Sequence, residues 1–147
     1  MKVVIASDHG GMTIRAEIKS LMEEMGIEYE DLGCECSQSV DYPDYAVPAA
    51  EKVASGEADR GILICGTGIG MSIAANKVKG IRCALVHDVY SARMTREHND
   101  SNVLAMGERV IGPGLAREIA KTWLETAFEG GRHANRIGKI GEYENQS

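Results

Sequence analysis

Positive charge is in short supply. The chain has 16 Lys and Arg against 22 Asp and Glu, a formal net charge of −6. That balance argues against a nucleic-acid or anionic-membrane partner, because such surfaces are held through an excess of cations. Long apolar runs are also missing. No stretch approaches the roughly 20 residues that span a bilayer, and Asp8 interrupts the opening Met1 to Ser7 run before a signal-peptide core can form. A soluble, cytoplasmic protein is the expectation. Cysteine is scarce too. Cys34, Cys36, Cys65 and Cys83 lack the density of a disulfide framework and are expected to remain thiols in a reducing compartment. Cys34-Glu35-Cys36 has no further ligands beside it and reads as structural rather than redox or metal-binding. The four histidines show no zinc-ligand spacing with the cysteines, so no metal is expected. There is no internal repeat and no low-complexity linker.

What is present suits one folded domain. In 147 residues, 44% are hydrophobic and 26% charged, enough for a single core and too few for two ordinary ones. Lys2 to Ser7 reads as a buried strand. Ile14, Ile18, Leu21, Met22 and Met25 then recur at helical spacing up to Gly26. Ile27 to Leu32 is a more polar strand suited to a sheet edge, and Tyr45 to Ala54 looks helical with Pro48 awkward in its first turn. Further strands follow at Ala58 to Cys65, Arg82 to Val86 and Val103 to Met106, each with a helix-like segment behind it. Pro113 opens the fifth helix, for which Gly130-Gly131 is the expected stop. The tail, about 131–147, is loosely helical and interrupted by Gly138 and Gly141, so its order is expected to depend on a partner surface.

Five strand–helix units in so short a chain predict a Rossmann-like, doubly wound, five-stranded parallel sheet in three layers. With a strand order of 2-1-3-4-5, the loops after strands one and three meet at the topological switch point. Those loops are Asp8-His9-Gly10-Gly11 and Cys65 to Gly70. Cys65 ends an apolar strand and opens directly into Gly66-Thr67-Gly68-Ile69-Gly70, ahead of a helix. Free N–H groups and the helix dipole there favour a negative charge, whether the sulfur's own, a phosphate, or an oxyanion formed during reaction. A dinucleotide reading of the glycines fails on three points: the third glycine comes one residue early, the motif follows strand three, and no second domain exists for a hydride acceptor. Asp8-His9 and His98-Asn99-Asp100 each also fit simple helix caps. Arg132 and Arg136, four apart, can share one helix face and grip a phosphate, although a solvated face fits that spacing equally well. Arg109 is a third candidate.

Five segments carry a resemblance: Ser7-Asp8-His9-Gly10-Gly11, Asp41-Tyr42-Pro43-Asp44-Tyr45, Cys65 to Ser72, Glu97-His98-Asn99-Asp100-Ser101-Asn102, and Gly107-Glu108-Arg109-Val110-Ile111-Gly112. In these the chain resembles, over nearly its whole length, the ribose-5-phosphate isomerase B family, which includes the galactose-6-phosphate isomerase subunits. The resemblance implies aldose–ketose isomerisation of a sugar phosphate, foremost D-ribose 5-phosphate and D-ribulose 5-phosphate of the pentose phosphate pathway, with no cofactor. Allose 6-phosphate or galactose 6-phosphate and a non-catalytic phosphosugar-binding module are the alternatives. The resemblance makes Cys65 the base that moves a proton between C2 and C1, His98 the residue that helps open the furanose ring, and Thr67 a hydrogen-bonding partner of the reacting sugar. Gly66, Gly68, Ile69 and Gly70 supply the anion hole; Asp8, His9, Tyr42 and Asn99 contact sugar or phosphate; Arg109, Arg132 and Arg136 hold phosphate. Some family members use a glutamate elsewhere in the glycine loop, and this loop has no carboxylate. A dimer or dimer of dimers with the pocket at the subunit seam is implied as well.

Overall fold

Alternation along the strands decides which helix covers which face. The computed structural model describes residues 1–146. In β1 (Lys2–Ser7), β3 (Arg60–Cys65) and β5 (Val103–Gly107), successive side chains point to opposite sides of the sheet. Val3, Ile5, Ile62, Ile64, Leu104 and Met106 line one side, and Val4, Ala6, Leu63, Cys65, Val103 and Ala105 the other. The first side packs against α1 (Met12–Met25), α4 (Val89–Asn99) and α5 (Pro113–Glu125). The second packs against α2 (Pro43–Ala54) and α3 (Ile69–Ala75). Short β2 (Glu28–Asp31) and β4 (Cys83–Leu85) complete an all-parallel sheet. The result is the three-layer, doubly wound α/β architecture expected. Among the described residues no helix is long and apolar enough to cross a membrane.

The strand order is β2-β1-β3-β5-β4, which corrects the expected 2-1-3-4-5. The reason is burial. All five residues of β5 are buried, whereas β4 has three residues, none of them buried, and so tolerates the edge. β2 takes the other edge, as its polarity predicted. The exchange matters for the site, because it sets Cys65 beside Gly107 in the ladder.

Several boundaries also move. Helix α2 begins at Pro43, two residues earlier than its apolar pattern suggests, with that proline in its first turn, where a missing N–H costs nothing. Helix α5 stops at Glu125 rather than at Gly130-Gly131. The tail forms α6 (Arg132–Glu144), continuous through Gly138 and Gly141. It leans on α4 and is anchored by buried His133. Cys34 and Cys36 are joined as a disulfide, against the expectation of four thiols. Cys65 and Cys83 remain free.

Candidate active site

Cys65 ends β3 on the α2/α3 side and is 6% exposed. Its Sγ accepts a hydrogen bond from the Gly68 N–H at 3.1 Å, so the loop turns back over the sulfur. Gly68 makes that turn with a φ of 77°, a conformation that suits glycine. Ile69 N–H donates to Thr67 Oγ1 at 3.3 Å. The ladder of α3 begins with Ser72 N–H donating to Gly68 O, which leaves the Gly70 and Met71 N–H groups ahead of the first helical bond. Two members of the expected anion hole, Gly68 and Ile69, are thus engaged in shaping the loop itself.

Neighbouring strands brace this loop. Glu108 N–H donates to Cys65 O at 2.9 Å and Arg109 N–H to Gly66 O at 3.0 Å. The Arg109 guanidinium lies over Gly66, 3.3 Å from where a Cβ would sit, and the Tyr42 ring lies 2.7 Å from the same position on Gly70. Side chains at those two glycines would displace both residues. On the other flank Asp8 N–H donates to Ile64 O at 3.2 Å, and Asp8 Oδ1 accepts from Gly10 N–H at 2.8 Å. His9 Nδ1 accepts from Val40 N–H at 3.1 Å. The loops after β1 and β3 therefore meet as expected. Cys65, Thr67, Asp8, His9, Tyr42 and Arg109 share the carboxyl edge of the sheet.

Two bracing residues have no sequence signature. Glu108 Oε1 accepts from Ile14 N–H at 2.7 Å, tying the start of α1 to the Cys65 support. His87 Nε2 accepts from Gly107 N–H at 3.0 Å. The Glu108 brace depends on β5 lying next to β3, and the His87 contact on β4 pairing with β5. Cys83 is no rival to Cys65, since desolvation pushes its thiol up to about 12.

The remaining expected site residues lie elsewhere. Helix α4 starts after the carboxyl end of β4, where Asp88 accepts from Ser91 N–H at 2.6 Å, and returns to the amino end of β5. Its 11 residues carry the chain about 16 Å away. His98 and Asn99 sit at that far end. Asp100 closes the helix with a φ of 44°, as the cap reading of His98-Asn99-Asp100 anticipated. Arg132 and Arg136 occupy α6, which crosses the same edge from His133 to Glu144, the latter accepting from Gly80 N–H at 3.1 Å. A cavity of about 510 Å³ opens there too, lined by Arg82, Cys83, Asn99, Ile140 and Glu144 among others. The expected site residues thus fall into two groups at opposite edges of one sheet.

At the far edge the His98 and His133 rings stack at 4.2 Å, 14° from parallel. His133 Nε2 is buried without a hydrogen-bond partner among the described residues and lies 3.5 Å from Glu129 Oε2. Sequence spacing gave His133 little weight, because nothing local shows that α6 folds onto α4. Donor atoms of His98, Glu129 and His133 lie within 4.8 Å of one another, a grouping that spacing also missed. Near-parallel rings aim their in-plane lone pairs side by side, a poor grip on one ion. Burial first, then the His98 and Arg132 charges, hold His133 below the ordinary histidine range. Desolvation does the same to His87. The unfolded chain accordingly binds these protons at a higher pH than the folded one. Their contribution is complete above the usual histidine value of about 6.5 and is lost as pH falls through the lower folded values. Urea midpoints should therefore drop between about pH 7.5 and pH 5, less steeply in His133→Asn. An unchanged slope in that variant would contradict the assignment.

Comparison with known proteins places these features in context. The family described as Ribose/Galactose Isomerase matches residues 3–140. YwlF of Bacillus subtilis (strain 168), provisionally named a sugar phosphate isomerase, is 76% identical over 100% of this chain and 99% of its own. Ribose-5-phosphate isomerase B of Escherichia coli (strain K12) is 49% identical, covering 95% of this chain and 93% of its own. D-erythrulose-4-phosphate isomerase of Pectobacterium atrosepticum is 43% identical, covering 99% and 97%. The solved ribose-5-phosphate isomerase B of Clostridium thermocellum superposes with a TM-score of 0.97 at 57% identity, covering 99% of each chain.

Proposed function

This chain belongs to the ribose/galactose isomerase family, and from that premise we propose that it interconverts D-ribose 5-phosphate and D-ribulose 5-phosphate at pockets shared by two copies. The observation that carries the reading is Cys65 Sγ held under the Gly68 N–H, within a loop braced by β5 and flanked by Asp8, Tyr42 and Arg109. The Cys65 thiolate takes the proton from C2 of the open-chain aldose. The electrons of that C–H bond form the C1–C2 double bond, and the carbonyl oxygen gains the enediolate charge. Main-chain N–H groups held in place before reaction stabilise that charge without reorganising. The hydroxyl proton on O2 passes to O1 as the C2 carbonyl forms, and the same sulfur returns its proton to C1, acting as base and then acid, so no bond from sulfur to carbon is needed. The exchange is redox-neutral within the sugar and calls for no cofactor.

Ring opening and phosphate binding fall to the opposite edge of a second copy. His98 there assists the furanose ring oxygen, while Arg132 and Arg136 hold the phosphate together with Arg109 of the first copy. Two features support the pairing. The candidate groups are divided between the two sheet edges, too far apart to meet within one chain. Ile69, Ile73, Leu85 and Tyr90, around the loop of Cys65 and the β4 edge, are exposed apolar residues suited to contact with another copy.

In deuterated water, ribose 5-phosphate should yield ribulose 5-phosphate with solvent deuterium at C1. Binding without product would instead indicate a phosphosugar-binding module. The relative named for a four-carbon substrate makes the sugar's length a real question. Catalytic efficiency should be highest on the five-carbon phosphate when compared with erythrulose 4-phosphate, allose 6-phosphate and galactose 6-phosphate. A six- or four-carbon sugar turning over faster would reassign the substrate and leave the chemistry intact.

A further inference from the structure

The segment between β2 and α2 holds a sulfur pair that isomerisation does not use. Cys34 is 2% exposed and fastened to the end of β1: its N–H donates to Ser7 O at 2.8 Å, and Ser7 N–H donates to Gly33 O at 2.6 Å. Buried Arg15 adds a bond to Cys34 O at 2.6 Å, one to Ser7 Oγ at 2.7 Å and one to Glu35 Oε1 at 2.8 Å. Cys36 is more accessible and leads into exposed residues 37–39. The chain then reaches Val40, whose N–H donates to His9, and Tyr42, whose ring covers Gly70. The covalent link between Cys34 and Cys36 spans 5.3 Å between their Cα atoms, well within bridging range. It ties the exposed side of this segment to its anchored side immediately before the residues that touch the site.

We propose that Cys34 and Cys36 form a reversible oxidation site whose state sets how firmly the Val40 to Tyr42 stretch closes over the Cys65 pocket. This rests on the isomerase reading only for its effect on turnover. The oxidant is a low-molecular-weight disulfide. The more accessible Cys36 thiolate attacks one of its sulfurs and releases one small thiol. Cys34 then displaces the second small thiol from Cys36, and its proton leaves with that thiol. Two protein thiols are oxidised and one small disulfide is reduced to two thiols; a dithiol reverses the exchange. The ring closed is only three residues long, so the bond gains little from restricting the unfolded chain, and exchange is open in both directions. Broken, it frees Cys36 from its anchored partner and lengthens the loose run leading to Val40, which raises the entropy lost on closing.

The test equilibrates the full chain in reduced or oxidised glutathione, traps thiols by alkylation, and follows Val40 amide exchange and kcat/KM. Oxidation should remove Cys34 and Cys36, but not Cys65, from the alkylated set. It should also slow Val40 exchange about tenfold and raise kcat/KM several-fold, mainly through KM. Cys36→Ser should resemble the reduced chain in both buffers. The proposal is overturned if oxidised glutathione leaves both cysteines alkylatable, if Val40 exchanges equally in both states, or if Cys36→Ser still responds. The exchange readout needs no turnover, so a failed isomerase reading is distinguishable from a failed redox site.

Discussion

Cys65→Ala is expected to lower kcat by about 10³ to 10⁴ while changing KM little, because a positioned proton-transfer group contributes on that scale and substrate contacts lie elsewhere. The thiol is small and sits at the border of the α2/α3 core, so its removal leaves only a small cavity and the fold should persist. Cys65→Ser tests the chemistry separately from the volume. An alcohol fits the space beneath the Gly68 N–H and remains a weak base at neutral pH, so it should lose activity nearly as badly as alanine. Steady-state rates, with circular dichroism and urea midpoints as controls, decide the matter. Activity of Cys65→Ala within tenfold of the parent would remove the thiol from the proton path.

The division of groups between two sheet edges leads to the second large effect. Cys65→Ala and His98→Asn should each be nearly inactive alone, since every pocket then lacks one of its two halves. When the two variants are unfolded together, or dissociated and remixed in equal amounts, half of the dimers formed are hybrids. In a hybrid, one pocket pairs the intact Cys65 half with the intact His98 half, and the other pocket carries both defects. Random pairing in a two-fold dimer therefore predicts recovery to about one quarter of parental activity. No recovery, with exchange verified by mass, would return both groups to a single chain. An active monomer in solution would do the same.

Much of the scaffold could be read from residue order. The continuous apolar runs Val3 to Ala6 and Ile62 to Cys65, buried throughout, and the helical spacing from Ile14 to Met25 are local signals, and they survive in the fold. So does the meeting of Asp8 and Cys65, because it depends only on β1 and β3 being neighbours at the switch point. What escaped was non-local. Nothing in Arg82 to Val86 compared with Val103 to Met106 announces which strand takes the edge; that is decided by competition for burial. The bracing of Cys65 by Glu108 followed the same decision. Pro43 and Pro48 masked the start of α2, and Gly130-Gly131 outweighed the actual stop of α5 at Glu125. The stacking of His133 on His98 required α6 to dock on α4. The Cys34–Cys36 link was missed because cysteine number and compartment were weighed, while the anchoring of Cys34 to β1 by Arg15 and Ser7 could not be seen.

The position of His98 at one pole of the sheet and Cys65 at the other also bears on dosage. Under the proposed shared pocket, a solitary molecule has no output. When chains are sparse, the number of working pockets grows with the square of their concentration. Doubling expression in that regime would quadruple flux, and a truncated copy that still pairs would poison its full-length neighbours.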